Sequence, residues 1–235
     1  MGWIVAEWED YLRLFENVRD EIAIGEASAA YLWSETAAES ISARIPNAKI
    51  VMVLRDPSER AFSQYLHQLA VGLTRSTFRE HIERCMSEKS RKFSIYHPLL
   101  EVGLYYEQVR RYLDRFPREN IRIHWFEEAW RHPENFLAQL FEFVGVDSAF
   151  RPDMSRRSLE RRSPRFPALN HAVKRFEVSQ RLRGLAPSWL RAGLFRRGSE
   201  LKMDASDRQF LVDYYRRDIE KVAGLLGRDL GAWLR

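Results

Sequence analysis

An α/β fold, in which helices flank a mainly parallel sheet in three layers, is predicted by two features of the 235-residue sequence. First, short segments with β-strand character alternate with longer segments of helical periodicity. Second, residues 49–55 are apolar on both faces, which is typical of a strand buried between two helical layers. We expect a single domain over residues 1–235, because this length supports one hydrophobic core.

Three segments have the composition of β-strands. Residues 22–24 are a short aliphatic run, residues 49–55 are rich in β-forming residues and apolar on both faces, and residues 121–126 alternate between apolar and polar side chains. Three strands are few for a chain of this length, so we expect the sheet to be incomplete.

Helical periodicity appears on both sides of the second strand. Apolar side chains recur at helical spacing over residues 3–16, and residues 34–44 favour a helix. The next helix, residues 57–71, begins with proline, and Asp56 is expected to cap it. Glu59 would complete a capping box, and a glycine directly after the helix would end it.

The second half of the chain is predicted to be mostly helical. Residues 77–86 form a helix in which Glu80 closes a second capping box. Three more helices, ended by Pro117, Gly145 and Gly227, are predicted at residues 103–116, 133–144 and 204–226. Residues 150–167 are rich in arginine and proline and are predicted to form a loop.

Positive charge is concentrated in one segment. The chain carries a net charge of +5, whereas residues 151–202 alone contain 14 basic and 4 acidic residues. Such an excess of arginine favours an anionic ligand. The alternative, an ordinary solvated surface loop, stays open at this point.

Several classes of protein are excluded by the sequence. Residues 50–54 are the longest aliphatic run, far below the ~20 residues of a membrane span, and the first residues do not form a signal peptide. A single cysteine, Cys85, excludes an internal disulfide, and the six histidines lack metal-ligand spacing. Glycine-rich nucleotide loops and the nucleophile elbow of hydrolases are absent. We therefore expect a cytoplasmic protein without a metal.

The junction after the second strand has the chemistry of an anion site. Arg55 stands at the carboxyl end of the strand, where ligands gather in α/β folds, and the N-terminus of a helix follows. Ser63 lies roughly 9 Å further along that helix. Glu59, Ser63 and His67 share one helix face. In the alternative interpretation, Arg55 only pairs with Asp56 or Glu59.

The sequence of this junction, LRDPSERAFSQYLH, closely resembles the 3′-phosphate-binding motif of sulfotransferases that use 3′-phosphoadenosine 5′-phosphosulfate (PAPS). The family motif has an arginine at a strand end and a serine eight positions later, which Arg55 and Ser63 match. GEASAAYL, at residues 25–32, is similar to a second family signature. Residues 103–146 and 211–234 are similar to the middle and C-terminal regions of bacterial-type members, so the resemblance covers the chain from about Trp8. It implies a sulfotransferase fold related to that of P-loop nucleotidases.

The resemblance also implies roles for individual residues. Arg55 and Ser63 would bind the 3′-phosphate of PAPS and of its product, PAP. Glu26 stands where carbohydrate sulfotransferases carry a general base, and His67 would be a second catalytic or acceptor-orienting group. Arg161 and Arg162 belong to a late basic loop that would cover the nucleotide. Two alternatives stay open: Glu26 is a helix-capping or surface carboxylate, and His67 is a partly buried helix residue without a catalytic role.

One family element has no counterpart in the sequence. Sulfotransferases carry a strand and a Lys-x-Gly-Thr loop, which holds the 5′-phosphosulfate, several tens of residues before the GEAS signature, and only 24 residues precede Gly25 here. We therefore expect an N-terminally truncated domain whose activity is in question. The alternative is a non-catalytic nucleotide-binding module that retains the 3′-phosphate site.

The expected partner is an acceptor that bears a hydroxyl group, such as a carbohydrate, a lipid or a small molecule. Ala27 and Ala29 depart from the lysine and proline of some family branches, so the acceptor class does not follow from the resemblance. Nucleic-acid binding through the arginine-rich segment is a third hypothesis, and it predicts a steep salt dependence. We expect no nucleic-acid partner, because the sequence shows no known nucleic-acid-binding fold.

Overall fold

The computed structural model describes residues 7–87, 98–153 and 201–235, together with the backbone of two short strands at residues 162–164 and 195–197. Among these residues, no helix is long and apolar enough to cross a membrane.

The first half of the described chain contains five helices and one strand. Their bounds are α1 (Trp8–Arg13), α2 (Ala30–Trp33), α3 (Ala37–Arg44), β1 (Ile50–Leu54), α4 (Pro57–Ala70) and α5 (Phe78–Ser87). The helix α4 ends where Gly72 adopts a φ of 73°, as its sequence predicts. At the start of α5, Thr77 and Glu80 exchange the two hydrogen bonds of the predicted capping box, at 2.9 and 3.3 Å.

The second half continues with helices around one further strand of the main sheet. Short 3₁₀ turns occupy Glu101–Gly103, Arg118–Asn120 and Gly231–Leu234. The other elements are α6 (Tyr105–Leu113), β2 (Ile121–Trp125), α7 (Phe126–Arg131), α8 (Pro133–Val144), β3 (Arg162–Pro164), β4 (Phe195–Arg197) and α9 (Ala205–Leu226). Gly145 and Gly227 end α8 and α9 in the left-handed conformation, as predicted.

The strands β1 and β2 form a two-stranded parallel sheet. Ile50 pairs with Ile121 at one end, and Leu54 pairs with Trp125 at the other. The carboxyl ends of both strands therefore meet at the same edge, and α4 and α7 begin there. The predicted α/β class with a parallel sheet is confirmed, and the short strands β3 and β4 form a separate antiparallel pair.

One face of β1 is more open than predicted. Met52 and Leu54 are buried, but Val53, which points to the opposite face, is 46% exposed. The described residues thus cover one face of this strand more completely than the other, whereas its composition predicts burial on both.

The core between α4, α6 and α9 contains a close backbone approach. Tyr215 of α9 is fully buried and donates a hydrogen bond from its hydroxyl to the Leu100 carbonyl at 2.9 Å. A Cβ atom on Gly103 would lie 2.8 Å from the Tyr215 ring, so only glycine fits at this position. This contact joins α9 to the turn that precedes α6.

Three predictions of local structure are wrong. Residues 22–24 form no strand, because Ile22 and Ile24 are exposed and have no neighbouring strand among the described residues. The helix predicted from residue 103 starts only at Tyr105, after a 3₁₀ turn. Within the loop predicted at 150–167, Arg162–Pro164 is a strand. In addition, α7 was not predicted.

Candidate functional site

The turn between β1 and α4 is closed by the side chain of Asp56. Its Oδ1 atom accepts hydrogen bonds from the backbone N–H groups of Ser58 and Glu59, at 2.9 and 3.2 Å, so the predicted N-cap is confirmed. The Arg60 N–H donates to the Asp56 carbonyl at 2.8 Å, and Pro57 has no N–H. The first turn therefore has no backbone donor left for an anion, which corrects the expectation that this helix terminus takes part directly.

The capping box predicted for α4 is formed only in part. The Asp56 backbone N–H donates to Oε1 of Glu127 at 3.0 Å, rather than to Glu59. Glu127 comes from α7, at the end of the neighbouring strand β2. The carboxylate of Glu59 instead lies 3.5 Å from Nη2 of Arg55.

Arg55 is held by two groups of different chemistry. Its guanidinium carbon lies 4.7 Å from the centre of the Phe126 ring, a cation–π contact. The ion pair with Glu59 is the alternative that the sequence left open, and it is present. The Arg55 side chain is 17% exposed, so it is mostly covered but not fully buried.

The predicted helix face is consistent with the pattern of burial along α4. Glu59 and Ser63 are half-buried and His67 is exposed, as expected for a face that is turned away from the core. The opposite face is buried in the core through Ala61, Phe62, Tyr65, Leu66 and Leu69. Ser63 therefore stands on the same side of the helix as the Glu59 carboxylate that contacts Arg55.

Glu26 lies in a different environment. It is exposed, in a segment without regular secondary structure, and a hydrogen bond to its carboxylate raises the pKa of Tyr31. The main-chain carbonyl of Tyr31 accepts a hydrogen bond from the Tyr112 hydroxyl of α6 at 2.9 Å. Glu26 is thus oriented by one tyrosine that is tied to α6, whereas Arg55 is oriented by the sheet and its helices.

Arg161 and the side chain of Arg162 lie outside the described residues. The backbone of β3, which begins at Arg162, runs alongside α4. Residues 162–164 of the arginine-rich segment therefore lie next to the helix that carries Ser63.

A buried tyrosine underlies the turn. Burial raises the pKa of Tyr105 to about 12, although the nearby Arg60 and a hydrogen bond from the Arg55 backbone lower it. Its hydroxyl therefore stays protonated at neutral pH and supports the backbone of Arg55 as a neutral group. Among the described residues, no group of histidine, cysteine, aspartate or glutamate side chains is arranged to hold a metal ion.

Sequence reasoning missed Phe126 and Glu127. Both directly follow β2, and the carboxyl ends of parallel strands share one edge of a sheet. If the pairing of β1 with β2 had been known, this rule would have placed Phe126 and Glu127 beside Arg55.

Known proteins are similar to this chain in both sequence and structure. The sulfotransferase domain family matches residues 34–197. A crystal structure of a sulfotransferase from Alicyclobacillus acidocaldarius superposes with a TM-score of 0.71 and 30% identity, over 98% of this chain and 75% of that chain.

Curated relatives include two bifunctional heparan sulfate N-deacetylase/N-sulfotransferases. Enzyme 1 of Xenopus laevis and enzyme 2 of Homo sapiens are each 28% identical to the chain, over 89% of its length. The chain spans about a quarter of the length of these relatives, 23% in both cases. The match to the family over most of the chain, on a fold shared with a solved member, shows that the chain belongs to the sulfotransferase family.

Proposed function

We propose that this chain binds PAPS and transfers its sulfuryl group to an acceptor. The observation that carries the proposal is the β1–α4 junction, where Arg55 and Ser63 occupy the positions of the family's 3′-phosphate motif. Arg55 is stacked on Phe126 at a strand end, is partly exposed, and contacts Glu59, which shares a face of α4 with Ser63.

The donor set at this junction fits a phosphate group. A guanidinium offers a planar pair of N–H donors, and a serine hydroxyl offers one more. The helix terminus contributes no backbone donor, since Asp56 takes those of Ser58 and Glu59. Glu59 lies next to Arg55 and is 41% exposed, so its carboxylate has room to turn toward solvent as an anion binds.

PAPS, when bound, supplies an activated sulfuryl group, and the protein's contribution is chiefly position and charge. Arg55 would neutralise the 3′-phosphate and fix the nucleotide, which holds the donor in line for displacement. Arg161 and Arg162 are proposed to add positive charge at the start of β3, the strand that lies beside α4.

The acceptor would be activated by a carboxylate. We assign the general base to Glu26, whose carboxylate is oriented by the Tyr31 hydroxyl, and an acceptor-orienting role to His67, which is exposed on α4. The names of the curated relatives refer to heparan sulfate and N-sulfotransfer, which favours a carbohydrate hydroxyl or amine as the acceptor. A cytoplasmic location remains part of the same proposal.

A non-catalytic nucleotide-binding module is the second candidate, favoured by one observation. The 235 residues contain no Lys-x-Gly-Thr loop to hold the 5′-phosphosulfate. Transfer activity separates the two candidates, since both predict nucleotide binding.

A transfer assay with radiolabelled PAPS and N-deacetylated heparan polymers tests the proposal. The parent protein should transfer label, Arg55→Ala should reduce kcat/KM about 10²-fold, and Ser63→Ala about tenfold. Arg122→Ala is the matched control, because Arg122 also stacks on a phenylalanine, Phe143 at 5.2 Å, but precedes the strand end. Nucleotide binding without transfer would select the second candidate. Unchanged activity in Arg55→Ala would refute the assigned site.

A further inference from the structure

A single carboxylate at the β1–α4 junction is shared between a helix cap and a distant arginine. The Oδ2 atom of Asp56 lies 2.6 Å from Nη2 of Arg208, which comes from the first turn of α9, 152 residues away. The two side chains are 8% and 21% exposed. Oδ1 of the same carboxylate holds the N-terminus of α4. Any movement of this carboxylate therefore moves both the cap and the turn that carries Arg55.

Arg208 is itself fixed by the last turn of the described chain. Its Nε and Nη2 atoms donate to the main-chain carbonyl of Arg235, at 2.9 and 2.8 Å. The adjacent Trp233 is buried, with its ring 6.2 Å from that of Tyr105 and 5.6 Å from that of Trp125. The Arg208 guanidinium thus has three hydrogen bonds that hold it in one orientation.

Side chains of three helices, α6, α7 and α9, therefore contact the turn at residues 55–56. From α7, Glu127 accepts the Asp56 N–H and Phe126 stacks under Arg55. From α6, Tyr105 receives a hydrogen bond from the Arg55 backbone. From α9, Arg208 holds the Asp56 side chain. Glu127 and Tyr105 contact the backbone of the turn and Phe126 contacts the Arg55 guanidinium, whereas Arg208 is the one of these side chains that holds the Asp56 carboxylate.

A neighbouring ion pair offers a natural comparison. Asp207, one residue earlier on α9, lies 2.7 Å from Nε of Arg79 of α5. This pair has similar burial, 8% and 34% exposed, and also joins α9 to another helix. It makes no described hydrogen bond to the turn at residues 55–56, so it is a control for an ion pair of α9 that does not contact that turn.

We infer that Arg208 is a positioning residue for nucleotide binding, which acts through Asp56 to place the Arg55 guanidinium for a 3′-phosphate. The inference rests on the proposed function, because it assumes that Arg55 binds that phosphate. Small displacements of a positioned charge cost affinity steeply, and a buried charge-assisted pair is a stiff support.

Calorimetry with two nucleotides tests this inference. Adenosine 3′,5′-bisphosphate and adenosine 5′-monophosphate are titrated into the full chain, Arg208→Gln, Arg208→Lys and Arg79→Gln, and thermal unfolding of each is recorded. Arg208→Gln should lower affinity for the bisphosphate about tenfold and leave affinity for the monophosphate unchanged. Arg208→Lys should lose less affinity than Arg208→Gln, because lysine keeps the positive charge. It should not match the parent protein, because lysine lacks the planar guanidinium whose Nε and Nη2 atoms make the three hydrogen bonds. Arg79→Gln should lower thermal stability but change the bisphosphate affinity less than twofold.

Two results would overturn the inference. One is an unchanged bisphosphate affinity in Arg208→Gln. The other is an equal loss for both nucleotides or in both Arg208→Gln and Arg79→Gln, which would indicate a general structural effect. Failure of the proposed function has a different signature, because the parent protein itself would then show no preference for the bisphosphate.

Discussion

The β1–α4 junction and the N-terminal segment, residues 7–36, carry the two halves of the proposed site and are built in opposite ways. At the junction, Leu54 is fully buried, Asp56 is 6% exposed, and contacts arrive from α6, α7 and α9. In residues 7–36 no described side chain is buried, and Ile22 is 82% exposed.

The N-terminal segment is tied to the body mainly through its main chain. The Tyr112 hydroxyl donates to the Tyr31 carbonyl, and Arg111 donates to the carbonyls of Leu32 and Trp33 at 3.3 and 3.1 Å. Such contacts fix a path for the chain without burying its side chains. The half proposed to bind the nucleotide is therefore part of the core, while the half proposed to carry the general base, Glu26, lies on the surface of the core.

The largest difference between the two regions should appear in stability. Leu54→Ala should lower the free energy of unfolding by about 2–5 kcal/mol, because it leaves a cavity at a fully buried strand end. Leu14→Ala, in the N-terminal segment, removes a side chain that is 63% exposed. This substitution should change the free energy of unfolding by less than about 0.5 kcal/mol. Urea denaturation measures both. Equal losses would mean that the N-terminal segment is buried in solution.

A smaller effect is expected where the two regions meet. Tyr112→Phe removes the hydrogen bond to the Tyr31 carbonyl and should cost about 1 kcal/mol or less. Limited proteolysis should then cleave the N-terminal segment faster than in the parent protein, while affinity for adenosine 3′,5′-bisphosphate stays the same. A loss of nucleotide affinity would show that the two regions are coupled more tightly than their contacts indicate.

The smallest expected effect is on how the free energy of unfolding depends on pH, through a histidine of the sheet. Burial, together with the nearby Arg122, lowers the pKa of His124 on β2. The unfolded chain therefore binds a proton more readily than the folded one as the pH falls through about 6.5, and stability should decrease below that pH. His124→Phe should make the free energy of unfolding less dependent on pH between 7 and 5, as followed by chemical denaturation at each pH. An equal slope in the variant would contradict this assignment.

Local signals made the junction predictable. Asp56, Pro57 and the apolar strand before them lie within a few residues of one another, and capping and strand burial depend on such short distances. The parallel sheet, the ends of α4, α8 and α9, and the shared face of Ser63 and His67 follow from the same kind of pattern.

The features that failed depend on distant partners. Residues 22–24 have strand-forming side chains, but a strand also needs a neighbour to pair with. Glu127 displaced Glu59 as the acceptor for the Asp56 N–H across 71 residues, and Arg208 reaches Asp56 across 152. Neither pairing can be read from spacing along a single sequence.

The preference for a 3′-phosphate is the most direct test of the central claim that the β1–α4 junction is the nucleotide site. Calorimetric affinities for adenosine 3′,5′-bisphosphate and adenosine 5′-monophosphate are compared in the parent protein, Arg55→Ala and Arg122→Ala. The parent protein and Arg122→Ala should bind the bisphosphate at least about tenfold more tightly than the monophosphate, since one charge-assisted hydrogen bond contributes that much. Arg55→Ala should bind both nucleotides with similar affinity. A preference that persists in Arg55→Ala would contradict the account and place the 3′-phosphate elsewhere.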